Sequence, residues 1–253
     1  MGALSKVRVV AAAGVLCCSC FSEGEIAYGQ QNTVRAHVQI WEKTGSKGQR
    51  EIATPPDRSD VVLWLRSLGR TTAATADAGP HKRFQMIQKN KSFQPHILVV
   101  PVGSTVDFPN RDPFFHNVFS LFEGKRFDLG LYEAGATNSV RFDRVGISFL
   151  FCNIHPEMSA VVIAVGTSYY GTSDRSGSLS IQDVPDGTYE VHVWYERSVP
   201  ADLKALTRTV TVSAMASDLG EIRIPLNPHY SSAHKNKYGQ DYAPPPSQPY
   251  SQR

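Results

Sequence analysis

The sequence predicts an all-β protein, on three observations. Helical periodicity is scarce along the 253 residues, and short apolar or alternating runs recur with Gly, Asn, Asp or Pro between most of them. The composition, 41% hydrophobic, 10% aromatic and 19% charged, is that of an ordinary globular chain, whose length allows roughly one to two domains. The 26 basic and 23 acidic residues leave a net charge of +3 with no basic stripe, which argues against nucleic acid as a partner.

Thr33 to Trp41 alternates as a half-buried strand should, and Val61 to Leu65 is continuously apolar. Phe84 to Ile87, Ile97 to Val100 and Thr105 to Phe108 follow, the last preceded by a Gly103-Ser104 turn. Val118 to Leu121, Val140 to Phe142, Ile147 to Phe151 and Ala160 to Val165 complete a first set at the spacing of sandwiches and barrels. A second set comprises Ser178 to Ile181, Thr188 to Tyr195, Thr207 to Val212 and Glu221 to Pro225, with Asp186-Gly187 as a hairpin turn. Ala201 to Leu206 is long enough for one helical turn. Residues 43–59 and 70–82 read as loops or boundaries. Residues 227–253, rich in Pro, Tyr, Ser and Gln, read as a disordered tail in which His229 and His234 are solvated.

Residues 1–29 read as an export signal. Lys6 and Arg8 form a positive start, Val9 to Phe21 an apolar run of 13 residues, and Ala27-Tyr28-Gly29 a small-residue cleavage site, so the mature chain is expected to begin near Gln30. Spanning a bilayer takes about 20 apolar residues, and no later run reaches that length, so no membrane span is expected. A soluble exported protein, periplasmic or otherwise, is the expectation; acylation at Cys20 after Ser19 is the less favoured alternative. No twin arginine precedes the apolar run.

Cleavage would remove Cys17, Cys18 and Cys20 and leave Cys152 as the one cysteine in an oxidising compartment. Such a thiol is buried as a small hydrophobe, paired between chains, or held as a metal thiolate. Its neighbours bear on the choice. Cys152, His155 and Met158 fall within seven residues, and His116 lies 36 positions upstream in Phe115-His116-Asn117-Val118. A soft thiolate with two imidazoles suits a trigonal copper site whose potential a weak axial thioether tunes, whereas structural zinc takes several Cys or His and no Met. Singly, each of these residues has a structural alternative: a hydrogen-bonded core His beside Phe114 and Phe115, or a packed Met before an apolar strand.

These residues resemble the cupredoxins, the blue-copper proteins, over about residues 83–166. Cys-x2-His-x2-Met is similar to the short ligand loop of the amicyanin group, and Val102 to Asn110 resembles the strand that leads to the first ligand. The resemblance implies a Greek-key β-sandwich in which His116, Cys152 and His155 are equatorial copper ligands and Met158 the axial one. It also implies that the Asn117 side chain pins the ligand loop by hydrogen bonds, and that electrons pass through His155. A redox partner protein would then dock on an apolar surface formed by Ile154 and Pro156, with Phe114 nearby. One-electron transfer without catalysis is the function implied; a periplasmic copper carrier or store with the same ligands is the alternative. A copper oxidase or reductase would need additional His-x-His ligands, an arrangement that none of the 8 histidines has, and no Cys-x-x-Cys-His run offers haem attachment. Met86 and His96 are read as structural rather than as a second copper position.

Thr172 to Leu179 and Val184 to Val191 are similar to the carboxypeptidase regulatory-like, transthyretin-like β-sandwich, a module without a catalytic role. Its opening strands are missing from the C-terminal piece, and residues 33–70 are the candidates for them. The cupredoxin-like unit at 83–166 would then be inserted between the halves 33–70 and 168–226 of a discontinuous sandwich. As a whole the chain resembles exported cupredoxin-domain proteins labelled methylamine utilisation proteins, a label that does not establish that pathway.

Overall fold

The computed structural model describes residues 31–44, 48–51, 57–69, 82–121 and 123–242. Residues 1–29, expected to be an export signal, with Cys17, Cys18 and Cys20, residues 45–47, 52–56 and 70–81 of the expected loops, and residues 243–253 of the expected tail lie outside the described residues. The first half of the chain supplies β1 (Gln31–Thr44), β2 (Gly48–Glu51), β3 (Val62–Ser67), β4 (Arg83–Gln85), β5 (Ile87–Lys89), β6 (Ser92–Gln94), β7 (Ile97–Pro101), β8 (Thr105–Pro109) and β9 (His116–Ser120). The second supplies β10 (Phe127–Tyr132), β11 (Thr137–Arg141), β12 (Gly146–Phe151), β13 (Ser159–Val165), β14 (Tyr170–Thr172), β15 (Ser178–Pro185), β16 (Gly187–Trp194), α1 (Pro200–Ala205), β17 (Arg208–Val212) and β18 (Asp218–Leu226). The fold is all-β with one short helix among the described residues, as expected. None of the described helices is long and apolar enough to cross a membrane.

Strands from both ends of the chain share sheets. β1 lies between β15, antiparallel, and β18, parallel, and β3 lies between β14 and β16 in a second sheet that β17 completes. Alternation dictates which side chains these sheets bury. Val34, Ala36, Val38 and Ile40 of β1 point inward and meet Leu63 and Leu65 of β3, Tyr189, Val191 and Val193 of β16, and Ile222 and Ile224 of β18 in one apolar cluster. The period breaks once on β15, where Leu179 and Ile181 are buried but the next inward residue is Val184. Asp183 there has a φ of 57° and the register with β1 shifts, so a bulge absorbs the extra residue.

A second pair of sheets occupies the middle of the chain. One has the order β10-β9-β12-β13-β7, the other β11-β8-β4. Val106 and Phe108 of β8, Val140 of β11 and Phe142 meet Val100 of β7, Val118 of β9, Leu150 of β12 and Val162 of β13 in a second cluster. The run Phe84 to Ile87 is divided: Phe84 lies in β4, beside β8, and Ile87 in β5, which pairs with β6, while the Met86 N–H donates to Asp107 O at 2.9 Å between them. Met86 itself is fully buried in this core.

The two cores meet through β13 and β7, which are apolar on both faces. Ala160, Val162 and Ala164 belong to the second cluster, whereas Val161, Ile163 and Val165 belong to the first; Ile97 and Val99 join the first and Val100 the second. Such strands read as continuous apolar runs rather than as alternation because neither face is left to solvent.

His96 adds a polar tie at this junction. Its Nδ1 lies 3.0 Å from Ser159 O and its Nε2 2.7 Å from Glu196 Oε2. Both partners accept, so the ring bonds best when doubly protonated, and the hydrogen bond to Glu196 raises its pKa against the opposing effect of burial. A raised folded-state pKa stabilises fully below the unfolded value of about 6.5 and ceases to do so as pH climbs through the folded value. The melting-temperature advantage of the wild type over His96→Gln is therefore expected to be largest near about pH 6 and to shrink by about pH 9. Thermal melts of both chains at the two pH values check this, and a gap that does not change with pH refutes it.

Candidate metal centre

The strand period that builds the second core also aims the donors. On β12, Ser148 and Leu150 are buried, and Cys152, one position past the strand end, continues the same inward side. On β9, His116 shares an inward side with Val118. The outward residues Phe119 and Phe151 are paired across the two strands, their ring centroids 5.8 Å apart. Beyond Cys152 the chain turns back at once. The Met158 N–H donates to His155 O at 3.1 Å and the Cys152 N–H to Met158 O at 3.2 Å, so residues 152–158 form a closed loop that carries His155 beside the cysteine.

The structure brings His116, Cys152 and His155 together as a group able to hold a metal ion. Cys152 Sγ lies 3.9 Å from His116 Nδ1 and 3.6 Å from His155 Nδ1, and the two Nδ1 atoms are 3.1 Å apart. The point equidistant from the corners of that triangle is about 2.1 Å from each, within the roughly 2.0–2.3 Å that borderline metals take to nitrogen and sulfur. Met158 is fully buried in the same core cluster as Cys152. His116 and Cys152 are also fully buried, while His155 reaches the surface.

Proton positions favour the same use. His116 Nε2 is 2.8 Å from Asp112 Oδ2. A carboxylate only accepts, so Nε2 carries the proton and the Nδ1 lone pair faces the sulfur. Burial disfavours a charged Asp112. The Lys91 N–H, the His116 ring and the Asn90 N–H outweigh it and hold the carboxyl below its usual range. Asp112 thereby fastens the turn between β5 and β6 to the first imidazole. Burial, then the proximity of His116, lowers the pKa of His155 and keeps that ring neutral, the form that ligates. Burial pushes the Cys152 thiol up, while the backbone N–H groups of Ile154, Asn117 and His155 support the thiolate. Metal binding at such a thiol releases its proton.

Some expected residues behave differently from the reading of the sequence. The Asn117 side chain does not pin the ligand loop: its Nδ2 donates to Asp128 Oδ1 and Gly130 O, each at 2.8 Å, and its Oδ1 is buried without a partner. The cause is a bulge in β10, where the register with β9 shifts and Gly130 has a φ of 67°, which turns these acceptors toward it. Among the described residues of the tail, 227–242, the chain is bonded to the protein rather than free. His234 stacks on Phe151 with centroids 4.2 Å apart, and the Tyr242 hydroxyl donates to Cys152 O at 2.7 Å. Asp112, His234 and Tyr242 were not legible as site residues. Asp112 precedes His116 by four positions with no motif around it, and the tail offers only its aromatic content as a signal.

Phe114 lies against both imidazoles, with ring centroids 5.2 Å from His116 and 5.5 Å from His155. Together with Phe115 and Ile154 it is an exposed apolar residue at this end of the sandwich.

No family model and no curated protein matches the sequence. Similar solved structures include the Cu-containing nitrite reductase from Thermus scotoductus SA-01, 24% identical, covering 33% of this chain and 22% of that chain with a TM-score of 0.32. The chain thus spans under a quarter of that enzyme's length. A purple cupredoxin from Nitrosopumilus maritimus is 26% identical over 32% of this chain and 99% of its own, with a TM-score of 0.30. A Cu(I) structure of an amicyanin mutant is 21% identical over 36% of this chain and 90% of its own, with a TM-score of 0.32.

Proposed function

We propose that this chain is an exported copper protein that carries single electrons, in which His116, Cys152 and His155 would hold the copper and Met158 would serve as a weak fourth donor. One observation carries the reading: two imidazole Nδ1 atoms and a buried sulfur stand around a point about 2.1 Å from each, with the His116 lone pair already turned inward by Asp112. A copper ion held there would supply a Cu(II)/Cu(I) couple. Burial of His116, Cys152 and Met158 excludes water from the sulfur side. His155, neutral and half-buried, is the edge through which an electron passes, and Phe114, Ile154 and Pro156 around it form the surface on which a redox partner protein docks in a small transient interface. An electron carrier, rather than an oxidase or reductase, fits a site whose donors close around one another.

The chain would reach an oxidising compartment such as the periplasm through the signal at 1–29. Residues 83–166 are a cupredoxin domain inserted in a transthyretin-like sandwich formed by 33–70 and 168–226. The pairing of β1 with β15 and β18, and of β3 with β14 and β16, supports that division. No catalytic role is assigned to the outer sandwich.

Addition of stoichiometric Cu(II) to the mature chain is expected to give an intense visible charge-transfer band and a paramagnetic signal that disappear reversibly on reduction. A colourless protein refutes the reading, and a band without reversible cycling favours the carrier or store. Met158→Leu is expected to keep the band and move the potential upward by on the order of tens of millivolts, because hydrocarbon in place of a donor disfavours the more highly charged ion. Voltammetry of both chains checks this, and equal potentials would remove Met158 from the ligand set.

A further inference from the structure

The segment after β18 returns to the end of β12 and fastens to the residues that present the thiol. The Tyr242 hydroxyl, donating to Cys152 O, also lies 3.2 Å from His234 Nδ1, where its lone pair accepts from the ring N–H that Lys235 O, also at 3.2 Å, shares. His234 is held face to face on Phe151 and edge to face by Tyr242, with centroids 5.3 Å apart at 88°. The Lys237 N–H donates to Asn153 Oδ1 at 3.0 Å, and Lys237 Nζ to Asp128 Oδ2 at 2.7 Å. The other oxygen of Asp128 accepts from Asn117, the neighbour of His116. Contacts from one short segment thus fall on three consecutive residues, 151, 152 and 153, and on the support of a fourth position. Cys152 is where such help matters: the β12–β13 ladder ends at Phe151 and Ser159, so its carbonyl lies beyond the sheet pairing.

We propose that residues 234–242 are a strap belonging to the metal centre, in which Tyr242 and His234 are positioning residues that fix the Cys152 backbone and hence the direction of its sulfur. This rests on the reading of Cys152 as a copper ligand. The hydroxyl holds the carbonyl, the imidazole holds the hydroxyl, and stacking on Phe151 holds the imidazole, so the strap sets the ligand's orientation without itself touching the donor atoms. It also covers the Phe151 side of the strand, which leaves the Phe114 and Ile154 side for docking.

Two readouts on the full chain test this. In the metal-free protein, Cys152 reacts with a thiol reagent only when the loop opens. Loss of the hydroxyl in Tyr242→Phe, or of the ring in His234→Ala, is expected to speed that reaction roughly three- to tenfold, the effect of one or two lost hydrogen bonds. His234→Gln, whose amide can still donate to the hydroxyl, is expected to restore most of the protection. With Cu(II) bound, Tyr242→Phe is expected to shift the energy or intensity of the sulfur-to-copper band, which a strap that merely adds stability would not move. A Tyr242→Phe chain that reacts at the wild-type rate, or whose band coincides with the wild type's, overturns the proposal. A wild type that shows no band fails the copper reading instead, and the thiol kinetics then decide on the strap alone.

Discussion

Cys152→Ser is expected to abolish the intense visible band that Cu(II) is expected to produce in the wild type, leaving at most the pale absorption of an ion bound by nitrogen. The band requires a soft, polarisable thiolate, and a hydroxyl in the same buried position neither ionises near neutral pH nor donates in that way. Affinity should fall as well, by at least the roughly 10- to 100-fold that even the loss of an outer-shell partner costs. The substitution is nearly isosteric, so circular dichroism should report an unchanged fold. Absorption and paramagnetic resonance after equimolar Cu(II), wild type beside variant, check the result. A Cys152→Ser chain that keeps the band would place the metal on other donors.

Tyr189→Ala should cost about 3–5 kcal/mol of stability, as the loss of a large aromatic ring from a closed core does. Tyr189 is fully buried between the outer sheets, its ring meets Tyr169 edge to face at 6.0 Å, and its hydroxyl donates to Pro185 O at 3.0 Å. For a chain of this size the melting temperature should drop by roughly 10 °C. Tyr189→Phe, which keeps the ring and loses the hydrogen bond, should cost only about 1 kcal/mol. The same core contains Val161 and Ile163 of β13, the strand that follows the ligand loop. The colour of the copper-loaded protein should therefore vanish in the same transition as the circular dichroism signal, and both should move together in the variant. If the Tyr189→Ala chain lost ellipticity early but kept its colour to the wild-type temperature, the two cores would be independent.

What could be read from the sequence was local. Alternation in Thr33 to Trp41 and in Thr188 to Tyr195 announces half-buried strands, and Cys152, His155 and Met158 announce themselves because one short loop carries them all. β10 escaped notice because Asp128 and Gly130 interrupt its apolar pattern at the bulge, the feature that serves Asn117. The break at Met86 is set by which neighbours each half of the run finds, β8 or β6, and a linear pattern does not carry that choice. The strap was hidden for a related reason. It adheres through hydrogen bonds and one ring stack rather than through aliphatic burial, so a composition that cannot form a core was read as one that forms no structure. Asp112 is identifiable only once the turn at Asn90 and Lys91 is folded against it.

The position of β1 also dictates an order of events during synthesis. Residues 35–42 lie beside 218–226, almost the whole described chain away, whereas every strand of the middle sandwich has its neighbours within residues 83–165. Pairings of such long sequence separation form late, because the intervening chain must exist and its loop entropy must be met first. The middle sandwich can therefore close while the C-terminal strands are still being made, with β3, and β1 apart from its hairpin end with β2, waiting as adhesive edges. β1, the first of the described strands to emerge, is among the last to be satisfied, and a chain truncated before β18 should aggregate through β1.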